Sequence, residues 1–344
     1  MKTIRLGKTN LVINSNGFGA LPLQRLSIEL ATNLLRKAFE NGITFFDTAR
    51  YYSDSEEKLG AAFSGVRDRI ILATKAMEST RTTVLSSLET SLRNLQTDYV
   101  DLLQLHNPQT LPDPDDPQSA YAGLLEAREQ GRARFIGITC HRLENALAAA
   151  RSGHYDTVQF PLSPLSSPED LSLIPVCKEH DVGLIAMKAL SGGLITNAAT
   201  SFAFLRQFDN VLPIWGIQRE EELDEFIAME RNPPPLDDTL LATIEKDRTE
   251  LSGRFCRGCG YCMPCPAGIE INWAARMSLL LRRAPSEGFM SSTWHDRMLK
   301  INDCTECGRC RKQCPYSLDT PSLLKENLAD YERFYAAYQN ERSS

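Results

Sequence analysis

Short apolar or β-branched runs alternate with helical patterns from residue 15 to residue 218. The alternation repeats eight times over about two hundred residues, which is the length and rhythm of a (β/α)8 TIM barrel. The sequence therefore predicts an α/β fold in which eight parallel strands lie inside a ring of helices. The candidate strands cover residues 15–21, 44–49, 69–75, 99–106, 134–140, 157–162, 183–190 and 211–218.

An open doubly wound sheet is the alternative fold for this alternation. That fold wants a glycine-rich phosphate turn, G-x-G-x-x-G, after its first strand. The sequence at this point is GFGALPLQR, which does not match. Ahead of the first strand, residues 3–15 predict two short strands around Gly7 and Asn10, a hairpin able to close one end of the barrel.

Three consecutive prolines divide the chain. Pro233, Pro234 and Pro235 follow the last helical pattern of the barrel, and a proline run cannot continue a helix. We therefore predict a barrel domain over residues 1–232 and a small α-helical domain over residues 236–344. Within the second domain, residues 236–251, 271–284 and 323–344 have helical periodicity.

Eight of the ten cysteines form two tight runs in the second domain. The second run, C-x2-C-x2-C-x3-C-P, matches the bacterial ferredoxin pattern, in which thiolates hold iron–sulfur cubanes. The first run leaves two residues, not three, before its fourth cysteine. The sequence predicts two 4Fe-4S clusters. Their candidate ligands are Cys256, Cys259, Cys262, Cys265, Cys304, Cys307, Cys310 and Cys314.

Zinc and disulfides are the other uses of such cysteines. C-x2-C pairs also bind zinc, but zinc sites use pairs that are separated by longer spans. Disulfide frameworks belong to small secreted chains, whereas this chain has 344 residues and begins without an apolar signal segment. Outside the runs, Cys177 lies in a helical pattern, and we expect it to be a small buried hydrophobe.

Composition and charge exclude several classes of partner. No apolar run approaches the ~20 residues that a membrane helix needs, so we expect a soluble protein. The net charge of -6, without a clustered Lys/Arg stripe, argues against nucleic acid. Thiolate-bound clusters require a reducing compartment, so we expect the cytoplasm.

Four polar residues lie at the ends of three successive predicted strands. Asp47 and Tyr52 follow the second strand, Lys75 ends the third and His106 ends the fourth. Barrels of this class build their active sites at the carboxyl ends of the strands. A tyrosine donates a proton poorly at neutral pH unless a cation such as Lys75 favours the phenolate. With Asp47 holding Lys75 and His106 bonded to a substrate oxygen, the set predicts carbonyl reduction.

These motifs resemble those of the aldo/keto reductase superfamily over residues 1 to about 230. The matching segments are MKTIRLGKTNLVINSNGFGA, FFDTARYY, ATK, LQLHNP, RFIGIT and VQF. The resemblance implies an NAD(P)H-dependent oxidoreductase in which Thr139 and Gln159 contact the nicotinamide carboxamide. The further cofactor contacts that it implies are Gly19, Ala20, Met187, Lys188, Leu190 and Arg219.

Some positions depart from the family pattern. Cys140 stands where many relatives have Asn, and Met187 with Lys188 stands where many place an aromatic residue on the nicotinamide. A methionine can still pack against a ring. In the family, basic side chains after the eighth strand receive the 2′-phosphate of NADP, but here three glutamates follow the single Arg219. Because carboxylates repel phosphate, we expect NADH to be preferred over NADPH.

The segments RGCGYCMPCPAGIEI and DCTECGRCRKQCP resemble the dicluster ferredoxin extension of one branch of this superfamily. By ferredoxin analogy, the fourth cysteine of each run crosses to the other cluster. One cluster would then use Cys256, Cys259, Cys262 and Cys314, and the other Cys304, Cys307, Cys310 and Cys265. The short spacing before Cys265 leaves open whether this cysteine reaches its cluster.

The sequence as a whole predicts an iron–sulfur oxidoreductase that interconverts a small carbonyl compound and an alcohol. Nicotinamide moves two electrons as hydride, whereas a cubane moves one, and no flavin motif is visible. The clusters therefore either stabilise their domain or exchange electrons with a carrier protein. Two alternatives stay open: a non-catalytic redox-sensing or binding subunit on a reductase scaffold, and a cluster-driven enzyme that does not use nicotinamide.

Overall fold

The structure is a computed structural model that describes residues 2–251, 255–283 and 286–343. The chain forms two compact units. The first contains Met1–Ala189 and Ala199–Leu240, and the second contains Leu190–Ala198 and Leu241–Ser344. The sequence did not indicate that residues 190–198 group with the second unit. None of the described helices is both long and apolar enough to cross a membrane.

An antiparallel hairpin, β1 (Thr3–Arg5) and β2 (Val12–Asn14), precedes the barrel as predicted. Ile4 and Ile13 of the hairpin, together with Leu6, are buried in one cluster with side chains from the barrel strands, whereas Val12 is exposed. Gly7, between the two strands, has φ 53°, and a Cβ at this position would overlap the backbone of Gly183. The hairpin therefore closes one end of the barrel, and glycine permits its close approach.

Eight parallel strands form a closed barrel in the first unit, which confirms the predicted fold class. Each strand pairs with its neighbours in the chain, and the eighth pairs with the first. The strand residues are mostly buried, as expected for a sheet that is covered on both faces. The strands are β3 (Gly17–Gly19), β4 (Phe45–Asp47), β5 (Ile71–Ala76), β6 (Val100–His106), β7 (Ala133–Thr139), β8 (Thr157–Pro161), β9 (Gly183–Met187) and β10 (Val211–Gly216).

Polar side chains start several of the helices that surround the barrel. Ser27 Oγ and Ser119 Oγ each accept a hydrogen bond from a backbone N–H of the first turn, and Thr80 forms a capping box with Thr83. The helices of this unit are α1 (Ile28–Glu40), α2 (Ser55–Phe63), α3 (Arg81–Leu95), α4 (Ala120–Glu129), α5 (Leu143–Arg151), α6 (Pro168–Leu171), α7 (Leu173–Glu179), α8 (Ala198–Arg206) and α9 (Glu220–Arg231).

Short helices build the second unit around its own core. Met277, Met298 and Tyr331 are fully buried there, and the Tyr331 hydroxyl donates to Phe289 O over 2.8 Å. The last of these helices confirms the helical pattern predicted for the tail, whose residue 344 lies outside the described residues. The helices are α10 (Asp238–Glu250), α11 (Ile271–Ala274), α12 (Met277–Arg283), α13 (Ser292–Leu299), α14 (Arg309–Gln313) and α15 (Thr320–Ser343).

The single helix predicted over residues 271–284 is wrong, because the chain forms α11 and α12 with a break around Arg276. The start of α12 is capped from α15, where Asn327 Oδ1 accepts a hydrogen bond from Ser278 N over 2.8 Å. This cap lies 49 residues away along the chain, so local periodicity carries no sign of it. Residue 284 lies outside the described residues.

Candidate active site

Polar side chains from neighbouring strands lie at the carboxyl end of the barrel. Asp47 ends β4, Lys75 is the penultimate residue of β5, and His106 ends β6. Tyr52 lies in the turn between β4 and α2. This turn is tied to β5, because Arg50 N donates to Lys75 O over 3.1 Å. The strands therefore hold all four predicted catalytic residues on one end of the barrel.

A buried ion pair forms the base of this group. Lys75 Nζ donates to Asp47 Oδ2 and to Thr48 O, each over 2.6 Å. Burial alone would lower the pKa of Lys75, but the combined effects of Asp47 and Tyr52 outweigh burial, so the pKa is raised and the lysine stays charged. Gln104 Nε2 donates to Asp47 Oδ1 over 3.3 Å, and Gln159 also favours the charged carboxylate.

The Tyr52 ring contacts both Lys75 and His106. Lys75 Nζ lies 5.1 Å from the centroid of the Tyr52 ring, and the centroids of the Tyr52 and His106 rings are 5.7 Å apart. Burial raises the pKa of Tyr52, and Lys75 lowers it by a smaller amount. Lys75 thus favours the phenolate as predicted, but burial has the larger effect on the pKa of Tyr52. The hydroxyl keeps its proton at neutral pH and is available to donate it.

His106 is the neutral member of the group. Burial, and then repulsion from Lys75, lower the pKa of His106 to about 3. Its Nδ1 atom is buried and has no hydrogen-bond partner among the described residues. A neutral imidazole has one donor and one acceptor nitrogen. His106 can therefore hydrogen-bond a substrate oxygen without adding a second positive charge beside Lys75.

Two of the predicted nicotinamide contacts lie side by side. Thr139 ends β7, and Gln159 is its partner in register on β8. Both side chains are almost fully buried, and in the described part of the chain Gln159 Oε1 has no donor. A carboxamide N–H is the kind of donor that this oxygen lacks. These residues therefore fit the nicotinamide that the fold implies.

The other predicted contacts lie at the ends of two strands and beyond. Gly19 ends β3 and Ala20 follows it, with its backbone N–H bonded to β4. Met187 ends β9, and Lys188 has a positive φ of 55°, so the chain turns sharply there. Leu190 is the first residue of the segment that groups with the second unit. The structure thus places four of these residues at strand ends of the barrel.

Arg219 lies just before α9 and already has a partner. Its Nη2 atom is 2.8 Å from Glu222 Oε1, within the same turn. The neighbouring Glu220 pairs with Lys37 over 2.6 Å. Arg219 and Glu220 are exposed, so both ion pairs are weak and a ligand can replace either partner.

The two cysteines outside the runs are buried. Burial raises the pKa of Cys140 and of Cys177 to about 12, so both stay thiols at neutral pH. Cys140 directly follows the predicted nicotinamide contact Thr139 in the sequence. Its backbone N–H donates to Gln159 O over 2.9 Å. The Cys177 side chain is fully buried on α7, as expected for a small hydrophobe.

Cysteines of both runs line one small, partly open cavity in the second unit. Among the described residues, the other three cysteines of the runs do not line it. The cavity lies beside the fourth cysteine of the first run and the first three of the second, and also beside Cys262, which the crossed assignment gives to the other cluster. The lining cysteines are Cys262, Cys265, Cys304, Cys307 and Cys310.

The cysteine arrangement suits a cubane better than a single ion. Across residues 2–251, 255–283 and 286–343, no three His, Cys, Asp or Glu side chains could hold one metal ion. A cubane differs, because each of its thiolates binds a separate iron. Burial, and then the neighbouring Cys256 and Cys259, raise the pKa of the Cys262 thiol to about 12. A cluster would supply the positive charge that a thiolate needs in this setting.

Two family models match the chain on either side of the proline run. The model of the aldo/keto reductase family matches residues 15–209. The chain belongs to the aldo/keto reductase family. A model described as a 4Fe-4S dicluster domain matches residues 255–319, so this aldo/keto reductase carries a dicluster domain after its barrel.

Curated relatives of this aldo/keto reductase match part of their own length. L-galactose dehydrogenase from Arabidopsis thaliana is 32% identical over 210 residues, which cover 56% of this chain and 66% of that protein. Methylglyoxal reductase DkgB from Salmonella typhi is 33% identical over 180 residues, which cover 49% of this chain and 65% of that protein. The chain thus spans about two thirds of the length of these relatives.

Solved aldo/keto reductases share the barrel. The aldo/keto reductase from Klebsiella pneumoniae in complex with NADP and acetate is 23% identical, with a TM-score of 0.61. The superposition covers 71% of this chain and 94% of the Klebsiella chain. At this identity the likeness shows the fold.

Gln104 is a residue of the site that sequence reasoning missed. It lies two positions before His106 on β6 and is fully buried, and its amide bonds the Asp47 carboxylate. Because side chains two apart on a strand share a face, a glutamine inside an apolar strand was the available signal.

Proposed function

We propose that this aldo/keto reductase interconverts a small carbonyl compound and its alcohol with a nicotinamide cofactor. The observation that supports it most directly is the buried pair of Asp47 and Lys75 beside Tyr52 and the neutral His106. Nicotinamide, when bound, supplies or accepts the hydride. The unpartnered Gln159 Oε1 offers an acceptor for its carboxamide.

Tyr52 acts as the general acid of the reduction. It donates its proton to the carbonyl oxygen as negative charge develops there. Lys75 stabilises the phenolate that Tyr52 leaves behind, and Asp47 holds Lys75 in place. His106 donates a hydrogen bond to the substrate oxygen and orients it. In the oxidising direction the same residues act in reverse, with the Tyr52 phenolate as the base.

The substrate class follows from the relatives. Their printed names concern L-galactose and methylglyoxal, which are small polar carbonyl compounds. We infer the same class for this enzyme: a small hydroxylated or oxo aldehyde or ketone, or the matching alcohol.

The cofactor preference can be tested at Arg219. Three glutamates follow it, and one of them, Glu222, pairs with it, so a 2′-phosphate meets mostly negative charge. We expect NADH to bind more tightly than NADPH when both are titrated into anaerobic protein. The Klebsiella structures contain NADP or NADPH. Tighter binding of NADPH to this chain would contradict the expected preference for NADH.

The dicluster domain is proposed to hold two 4Fe-4S clusters and to exchange single electrons with a carrier protein. The shared cavity supports the crossed ligand set. One cluster would use Cys256, Cys259, Cys262 and Cys314, and the other Cys304, Cys307, Cys310 and Cys265.

A pair of adjacent tyrosines provides the decisive experiment. Tyr52→Phe removes the proton donor and is expected to lower the rate ~10²- to 10⁴-fold, as for other general acids, with little change in NADH or NADPH binding. Tyr51→Phe is the matched control, since Tyr51 is exposed and its hydroxyl bonds Glu78. Turnover of small aldehydes by the full chain gives the rate.

Wild-type turnover in Tyr52→Phe, with Tyr51→Phe also normal, would contradict the catalytic assignment. Equal losses in both variants would point to a disturbed turn and not to a lost proton donor. Fluorescence titration with the cofactor separates binding from chemistry in each variant.

A further inference from the structure

Arg276 is a buried arginine in the second unit, at the junction of α11 and α12. Its side chain is 7% exposed, and its Nη2 atom donates to Gly192 O over 2.5 Å. A buried guanidinium is costly unless negative charge or hydrogen bonds offset its desolvation. The segment that it bonds, Leu190–Ala198, groups with the same unit. One of the partners of Arg276 is therefore a carbonyl of this segment.

The guanidinium also lies close to the first cysteine run. A Cβ on Gly258 would lie 2.5 Å from Arg276 Nη1, and Gly258 has a positive φ of 64°, so a glycine is required here. Gly258 N in turn donates to Cys256 Sγ over 3.3 Å. Arg276 thus packs against the turn that presents a proposed cluster ligand.

We infer that Arg276 links the charge of the cluster at the Cys256 turn to the position of Leu190–Ala198. The inference rests on the proposed function and on the contact between Leu190 and the nicotinamide that the family resemblance implies. Reduction by an external one-electron donor adds one negative charge to the cluster. Arg276 is then attracted more strongly to the Cys256 turn, and its bond to Gly192 O weakens. The segment that begins with Leu190 is released, and the nicotinamide is held less tightly.

The two effects are tied by thermodynamic linkage. If reduction of the cluster weakens NADPH binding by some factor, bound NADPH must make the cluster harder to reduce by the same factor. A tenfold change in Kd corresponds to about 59 mV in the midpoint potential of a one-electron couple. The ratio of the two Kd values and the shift in midpoint potential therefore give independent measurements of the same coupling free energy.

The experiment uses the full chain, purified anaerobically with its clusters. NADPH is titrated into oxidised protein and into dithionite-reduced protein, and the Kd is expected to be at least about 5-fold weaker in the reduced state, the low end of typical couplings. Electron paramagnetic resonance during a redox titration gives the midpoint potentials with and without saturating NADPH. The same titrations are run with NADH, the cofactor that is expected to bind more tightly.

Two substitutions separate charge from geometry. Arg276→Gln removes a positive charge beside a negative cluster, so the potential of one cluster should fall and the two Kd values should become equal. Gly193→Ala strains a residue with φ 91° in the same segment, and its Cβ would meet no atom within 4 Å, so it leaves Arg276 in place and should reduce the coupling without moving that potential. Arg282→Gln is the control, because Arg282 pairs with Asp330 in the same unit. Iron and sulfide contents confirm that each variant is loaded.

Each outcome decides the inference. An unchanged potential in a fully loaded Arg276→Gln, or equal Kd values in oxidised and reduced wild type, would overturn it while the proposed function stands. Arg276→Lys covers a failure of the glutamine variant to load, since it should keep the potential and lose the coupling. If neither NADH nor NADPH binds in either state, the proposed function and the inference fail together.

Discussion

Lys75 interacts with Asp47, Tyr52 and His106, and burial has the larger effect on the pKa of each of these groups. Its ammonium group bonds Asp47 directly, lies 5.1 Å from the Tyr52 ring and repels a proton from His106. The carboxylate is thus paired with a cation, while the imidazole is neutral and the phenol keeps its proton. Asp47, Tyr52 and His106 all lie close to Lys75, and burial strengthens the electrostatic interaction that each makes with it.

The neutral His106 predicts a specific acid sensitivity. Its pKa falls from 6.5 to about 3 on folding, so between these values the unfolded chain binds a proton that the native chain does not. Stability should therefore fall as pH falls below 6.5, by up to about 1.4 kcal/mol per pH unit from this residue. His106→Gln should flatten this slope in chemical unfolding between pH 7 and pH 5.

His180→Gln is the control for that measurement, because His180 is exposed. It should leave the slope of stability against pH unchanged. A slope that is the same in wild type and in His106→Gln would show that the histidine is charged, or not buried, in the native protein.

At the scale of elements, the barrel was predictable because its information is local. Each strand and each helix has its own periodicity, and the residues that end the strands, such as Asp47 and His106, follow from the predicted order. The break between α11 and α12 was not predictable, because the cap on Ser278 comes from Asn327. Hydrophobic periodicity indicates which face of a helix or strand is buried, but it does not indicate a polar partner on a helix that is distant in the sequence.

The same limit applied within the site. The bond from Gln104 to Asp47 depends on which face of β6 points into the barrel mouth, and the ends of the predicted strands alone did not give it. The segment Leu190–Ala198 also showed no sign of its grouping, since its sequence carries neither a repeat nor a charge run.

The hairpin provides a test of close packing. Gly7→Ala and Gly153→Ala both put a Cβ on a residue with positive φ, which costs about 1–2 kcal/mol. Gly153 has open space around a Cβ, whereas at Gly7 the Cβ would overlap the Gly183 backbone. Gly7→Ala should therefore be less stable by about 1–3 kcal/mol more, as for other overpacked sites. Thermal unfolding of the two variants checks this; equal losses would mean that the hairpin does not press against β9.

At the scale of the whole molecule, the cysteines decide how the second unit is organised. Cys265 and three cysteines of the second run line the same cavity, so distant parts of the chain come together there. A cluster bound there ties two segments together and adds its binding free energy to the stability of the unit. The spacing before Cys265, which differs from the ferredoxin pattern, does not keep this residue from the cavity.

Double substitutions test the crossed assignment. Cys265→Ala and Cys304→Ala should each damage the same cluster, so the double variant should lose little more iron than either single variant. Cys265→Ala with Cys256→Ala should damage both clusters, and the iron lost should be the sum of the single losses. Wild type is expected to contain about eight irons, the content of two cubanes. Cys177→Ala is the control and should keep all of them.

If Cys265→Ala and Cys304→Ala instead add their losses, while Cys265→Ala and Cys256→Ala do not, the fourth cysteine of the first run belongs to its own run. Iron and acid-labile sulfide analysis of the anaerobic variants distinguishes the two patterns.

The grouping of Leu190–Ala198 with the second unit has a consequence for how such a chain can be rebuilt or shortened. A cut at the prolines would separate Gly192 from its arginine partner, Arg276, and leave a stretch of the barrel's own sequence without the neighbour that it contacts. The dicluster domain therefore cannot be exchanged between relatives by joining two sequences at the prolines alone. A functional chimera would need to carry the donor's residues 190–198 along with its cysteine segment.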